Sequence, residues 1–201
     1  ADENSRSYHG LYCAMHEYLD SWNLVLGSKT LTGDDITKAF VYPHTIYRYY
    51  AGVGVIEEIF LPDGGNGLAV RFLGRLPGDC TLVPWVDMRF IWRVPKPDYK
   101  IFWMKEDNTL LISRADNAFP EDLPQCIAIT SNVPLDFEFD EKRVKRTYWR
   151  DLARRAMSEA YPFSPGRLVF DGSGKGKRLN RGRGGCKKTR RKGKGWNQRR
   201  R

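Results

Sequence analysis

The last thirty residues, Gly172 to Arg201, carry the most explicit chemistry in this chain. Fourteen cations stand there without an acid: Lys175, Lys177, Arg178, Arg181, Arg183, Lys187, Lys188, Arg190, Arg191, Lys192, Lys194, Arg199, Arg200 and Arg201. Interleaved glycines let the backbone approach a surface closely, and each guanidinium can hold a phosphate through two parallel hydrogen bonds. Such a chain follows a polyphosphate backbone by displacing its counterions. Trp196 adds a ring on which an exposed base can stack. With only Leu179, Cys186 and Trp196 as sizeable apolar side chains, the segment cannot bury enough surface to fold alone.

The whole chain has 34 basic and 24 acidic residues, a net charge of +10. Without the fourteen arm cations, residues 1–171 keep 20 basic against 24 acidic, a net of −4. The basic character therefore belongs to the arm. Opposite signs in the two parts indicate a folded module with an appended interaction arm. The partner implied is a polyanion. The Arg-Gly spacing in "NRGRGG" points to nucleic acid, and to RNA before DNA. Sulfated glycan offers the same charge without bases.

A second group of cations, Arg143, Arg146, Arg150 and Arg154, steps by three and four residues. On a helix they share a face and would continue the footprint of the arm. His9, Cys13 and His16 are spaced by four and three, which on a helix is metal-ligand geometry, with His44 as a fourth donor. Isolated helical histidines are more often surface residues, so neither metal nor cofactor is expected. Cys13 with His16 or His44 can be written as nucleophile and base, but no protease or transferase motif surrounds them. Glu57 and Glu58 are strand neighbours that point to opposite faces and cannot share a proton. "GVGVIE" lacks the full Gly-rich phosphate fingerprint. Catalysis has no complete signature.

The elements that must hold these groups read as follows. Leu11, Tyr12, Met15, Leu19, Trp22 and Leu26 fall at helical spacing, and "TGDDITKAF" offers Thr32 or Asp34 as the cap of a second short helix. Short aromatic and β-branched runs then alternate with turn clusters such as 62–67, 76–79, 95–98 and 106–108. The stretch "YKIFWMKEDNTLLISRA" reads as a hairpin. Val144, Tyr148, Leu152, Ala156 and Ala160 return to helical spacing before Pro162 and Pro165.

The expected fold is α+β: N-terminal helices, a central antiparallel meander of seven to nine strands forming a curved sheet or barrel, and a C-terminal helix. Residues 1–171 form one domain and 172–201 a disordered basic arm. No apolar run approaches the roughly 18 residues of a membrane span. The start Ala1-Asp2-Glu3 reads as a processed N-terminus, consistent with a secreted, organellar or viral polyprotein product. Four widely spaced cysteines, Cys13, Cys80, Cys126 and Cys186, read as thiols rather than a disulfide framework. The function expected is non-enzymatic nucleic-acid binding, with RNA favoured. The alternatives are a secreted glycan-binding protein whose body holds a partner or apolar ligand, and an enzyme working in a pocket of the sheet.

Overall fold

The computed structural model describes residues 10–63, 67–90, 96–116, 121, 123–151 and 156–173, with backbone alone at 147–151 and 156–158. Strand β1 (Leu11–Cys13) turns into β2 (His16–Leu26), followed by a short return strand, β3 (Lys29–Thr30). A 3-10 turn at Gly33–Asp35 leads to β4 (Lys38–Tyr42), β5 (Thr45–Tyr50), β6 (Val55–Phe60) and β7 (Ala69–Gly74). The long β8 (Cys80–Phe90) precedes β9 (Tyr99–Met104), β10 (Thr109–Arg114) and β11 (Cys126–Thr130). The chain continues with β12 (Asp136–Arg143), β13 (Arg146–Asp151), β14 (Ala156–Ala160) and β15 (Phe163–Phe170).

All pairings are antiparallel. A six-stranded sheet has the order β1-β2-β8-β15-β12, with β3 also on β2; β4 to β7 form a meander, β11-β10-β9 a three-stranded sheet, and β13-β14 a hairpin. In the six-stranded sheet, Leu24, Leu82, Leu168 and Phe137 are successive cross-strand partners, and Leu26, Cys80 and Phe170 form the next row on the same face. That face carries both apolar cores. One unites Tyr18, Val86, Met88 and Leu168 with Leu110, Ile112 and Ile127 of the three-stranded sheet. The other unites Leu24 and Leu31 with Tyr50 and Val55 of the β4–β7 meander. Two smaller sheets thus cover different parts of one large sheet, and Phe170 packs against both cores.

The expected α+β class is overturned: the protein is mostly β, without a helix of seven or more residues among those described. The apolar steps from Leu11 to Leu26 fit a helix, yet the segment is the hairpin β1–β2. Its buried residues include Glu17, Tyr18, Asp20 and Leu24, while Met15 of the supposed apolar stripe is 51% exposed. Two features decide against the helix. Ala14 and Met15 hold φ of 45° and 65°, a tight reversal, and nine residues of β2 find partners on β8. Gly10 reinforces the reversal, because a Cβ there would lie 2.2 Å from the Leu19 carbonyl oxygen.

The second expected helix shrinks to the Gly33–Asp35 turn, whose Asp35 carboxylate accepts from the Thr32 amide at 2.9 Å. Beyond it Phe40, Val41 and Tyr42 favour a pleated strand. The expected C-terminal helix is the end of β12 followed by the β13–β14 hairpin. Thr147, Tyr148 and Trp149 suit a strand, and Arg146 pairs in register with Ala160. The single curved sheet or barrel is likewise replaced by separate packed sheets. In contrast, residues 99–114 do form the hairpin that their alternation indicates.

Asn108 shows how the loops are fixed. It sits in the β9–β10 turn at φ 53° and is 5% exposed. Its amide nitrogen donates to the carbonyls of Ser131 (3.0 Å) and Val133 (2.6 Å), and its oxygen accepts from the Leu135 amide at 2.7 Å. One side chain therefore latches the turn to the β11–β12 connection. Asn108→Ala strands these buried groups and should cost about 2–4 kcal/mol in urea unfolding. Asn108→Gly loses the same bonds but removes the Cβ from a left-handed backbone, so it should be no worse. A loss below about 0.5 kcal/mol for both would show that the latch carries no stability.

Candidate nucleic-acid interface

The residues singled out from sequence fare differently once the strands are in place. Lys175 to Arg201, with Trp196, lie outside the described residues, as do Arg154 and His9. Arg150 stands on β13, where only the backbone is described. Arg143 ends β12 and Arg146 begins β13, so the shared helical face that would have aligned them does not exist.

Arg143 donates to the Pro97 carbonyl at 2.9 Å and lies 5.3 Å from the Phe163 ring centroid. Arg146 is turned inward. It is 8% exposed, pairs with the Asp20 carboxylate, donates to Ser21 Oγ at 3.1 Å and stands 5.7 Å over the Trp85 ring. Its charge is committed inside the protein.

Cys13 and His16 are direct register partners across the β1–β2 turn. His16 Nδ1 lies 3.0 Å from the Ala14 carbonyl, and its ring meets Phe90 edge-on at 5.4 Å. His44 belongs to the β4–β5 turn of another sheet. Among the described residues no three His, Cys, Asp or Glu side chains gather as metal ligands. Cys13, Cys80 and Cys126 are free thiols, and Cys186 lies outside the described residues.

Arg146 joins a buried ionic cluster on the face of the six-stranded sheet opposite the cores. Glu17 and Arg89 are cross-strand partners and form an ion pair at 3.1 Å; Arg89 Nε donates to Asp87 at 2.6 Å. Glu17, Asp20, Asp87 and Arg89 are each 3% exposed or less. Three acids thus face two buried arginines. Burial, followed by the Asp87 charge, pushes the Glu17 carboxyl up to about 9. Burial likewise pushes Asp87 up to about 6, against the pull of Arg89. Tyr12 hydrogen-bonds Glu17 and is itself raised by burial. Burial therefore favours the protonated form of Glu17, which works against the excess of negative charge in the cluster.

The β4–β7 meander presents a different surface. Its inward face carries Tyr50, Val55, Glu57 and Ile59, each 7% exposed or less. Glu57 ties this sheet to the large one: it accepts from Trp22 Nε1 at 2.6 Å and Tyr50 hydroxyl at 3.2 Å, and pairs with Arg48 at 3.2 Å. The outward face is aromatic. Phe40, Tyr47, Glu58 and Arg71 form one cross-strand row, flanked by Tyr42-Thr45-Phe60-Ala69 and by Lys38-Tyr49-Ile56-Leu73. Phe40 and Tyr49 meet edge-on at 5.6 Å, as do Tyr42 and Tyr47 at 6.1 Å. Phe40 and Tyr42 are 46% and 53% exposed. Glu58 accepts from the Tyr47 hydroxyl at 2.9 Å and pairs with Arg71 at 3.1 Å, while Arg71 lies 5.2 Å from the Phe60 centroid.

Sequence reasoning missed this face. The signal was the aromatic density of Tyr42 to Tyr50. Alternation alone, however, cannot say which side of a strand meets a core.

A hollow of about 300 Å³ lies on the large sheet, lined by Asp79, Thr81, Glu138 and Arg167 with Val25, Gly27 and Val169. Glu138 already pairs with Arg167 at 2.9 Å, and the lining holds neither histidine nor cysteine.

The buried cluster sets a pH dependence of stability. Between about pH 4.5 and 9 the folded state keeps the Glu17 proton that the unfolded chain releases, so stability falls as pH rises through that window. Asp35, Asp116 and Asp140 are held below the usual range by their cationic partners, and their contribution is lost only in stronger acid. The melting temperature should therefore decline from pH 5 to pH 9, and Glu17→Gln should flatten that decline. An unchanged slope in Glu17→Gln would assign the dependence elsewhere.

Comparison of the chain with family models, with curated proteins and with solved structures gave no match, so the functional reading rests on the residues described above.

Proposed function

We propose that this protein is a non-enzymatic RNA-binding protein in which a folded β body carries a cationic arm. One observation carries the reading: fourteen cations and no acid in residues 172–201, beside a body of net charge −4. The separation of charge supports a division of labour. The arm supplies affinity by phosphate neutralisation, and the body supplies a rigid surface.

The junction also has a defined anchor. Ser173 donates its amide and hydroxyl to Asp171 at 2.8 and 2.6 Å. A Cβ at Gly172 would lie 2.6 Å from Cys80 Sγ, Leu76 Cβ and the Pro77 carbonyl oxygen. The chain is thus seated against the body up to Ser173. A truncation that tests the arm must leave this seat in place.

Removing residues 174–201 should leave the melting temperature of the body nearly unchanged and abolish most RNA affinity. If half of the fourteen cations engage single-stranded RNA, log affinity should fall with log salt at a slope of about −5 in the whole chain. A flat salt response would end the phosphate-neutralisation reading. Trp196→Ala should weaken single-stranded RNA binding by about five- to a hundredfold, with the salt slope retained and heparin binding unchanged. Equal binding of RNA and heparin at matched charge would make the arm a generic polyanion ligand.

A further inference from the structure

We infer that the outward face of the β4–β7 meander is a base-stacking platform for single-stranded RNA, a deepening that rests on the RNA-binding reading above. Five aromatic rings, Phe40, Tyr42, Tyr47, Tyr49 and Phe60, occupy one face across three adjacent strands. With strands about 4.8 Å apart, the rings span about 10 Å, room for two or three bases. Neighbouring rings already meet edge-on, an arrangement that holds each ring in place while leaving its face open to a further π-system.

A solvent-facing aromatic sheet can also serve a protein partner, and electrostatics decides between the two. Glu58 is the single acid in the three cross-strand rows of this face. Arg71 pairs with it at 3.1 Å, and the Tyr47 hydroxyl donates to its other oxygen at 2.9 Å. The carboxylate of this face is therefore balanced by a cation of its own row. Lys38, on edge strand β4, and Arg71, on edge strand β7 and paired with Glu58, flank the rings from opposite sides. The three outward rows hold Lys38 and Arg71 against Glu58, a net of +1, whereas residues 1–171 have a net of −4. The aromatic face thus carries a net positive charge on a body that is net negative. Rings for bases, flanking cations for phosphates and a long cationic arm on the same chain are the parts that single-stranded RNA requires.

Fluorescence-anisotropy titrations of the full chain would use a labelled oligouridylate, an abasic ribose-phosphate strand of equal length, and heparin. The Phe40→Ala/Tyr42→Ala double variant removes two exposed rings that take no part in either apolar core. It should weaken oligouridylate binding at least tenfold, with unchanged salt slope and unchanged binding of the abasic strand and heparin. The Phe40→Tyr/Tyr42→Phe variant keeps both rings and should bind as the parent does; circular dichroism and melting temperature establish that each variant is folded. If the double variant is misfolded, Tyr42→Ala alone carries the test, with an expected loss of at least fivefold.

If the parent binds oligouridylate and the folded ring-deleted variant binds it equally well, the platform is overturned and the arm reading stands. Should the parent bind the abasic strand and heparin as tightly as oligouridylate, base stacking is absent and the platform falls. A parent that binds none of the three ends both readings. If sedimentation shows a parent dimer that the double variant loses while oligouridylate binding is intact, the face belongs to a second copy of the chain.

Discussion

The ladder between β2 and β8 is the constraint from which the other parts follow. These two eleven-residue strands form the spine of the six-stranded sheet, and their register decides what each face must bury. On one side it lines up Leu24 with Leu82 and places Val86 and Met88 under the three-stranded sheet. On the other it sets Glu17 against Arg89 and Ser21 against Trp85. A slip of one residue would exchange the two faces, putting carboxylates into the apolar cores. The breaks between Glu17 and Leu19 and between Leu19 and Ser21 are bulges, which let a long strand bend without losing that assignment.

The ionic face repeats this logic in a second medium. Burying Glu17, Asp20 and Asp87 is unfavourable by itself, because carboxylates lose hydration that two arginines only partly replace. The upward push on the Glu17 carboxyl reflects that cost. The Arg146–Asp20 pair then attaches the β13–β14 hairpin to the large sheet from a sequence distance of more than a hundred residues. Buried pairs of this kind add little net stability, but breaking one strands the other charge, so they penalise wrong placements of the hairpin. Glu57 does the same for the meander, since Trp22, Arg48 and Tyr50 all converge on it.

This arrangement separates two kinds of charge. Arg89 and Arg146 are spent inside, on acids that would otherwise face solvent or a ligand. Lys38 and Arg71 flank the aromatic rings, and the arm holds the uncompensated positive charge. Counting basic residues along the chain cannot make this distinction. Arg146 and Arg71 look alike in a sequence, yet one is sealed under Asp20 and the other lies beside Phe60.

The amino-acid sequence by itself determined the features that depend on composition and short-range contacts. The charge of the arm is one, because no fold can neutralise fourteen cations with acids that the segment lacks. The 99–114 hairpin is another, since alternation and the Asn108 turn are local properties. The opposite facing of Glu57 and Glu58 follows from the pleat alone and holds in the meander. Tertiary structure decided the state of the N-terminal segment and of residues 140–151 and 156–160. Both have apolar residues at steps of three and four, which fit a helix, but a strand can bury different residues of the same stretch when a partner is available. For Leu11 to Leu26 the partner is β8, more than fifty residues away, and its hydrogen bonds and side-chain contacts outweigh weak local helix propensity. The same long-range pairing chose which face of β4–β7 meets the core and left the aromatic rings outside. No local pattern contains that choice, because both faces of the meander are rich in apolar and aromatic residues and only packing against the large sheet tells them apart.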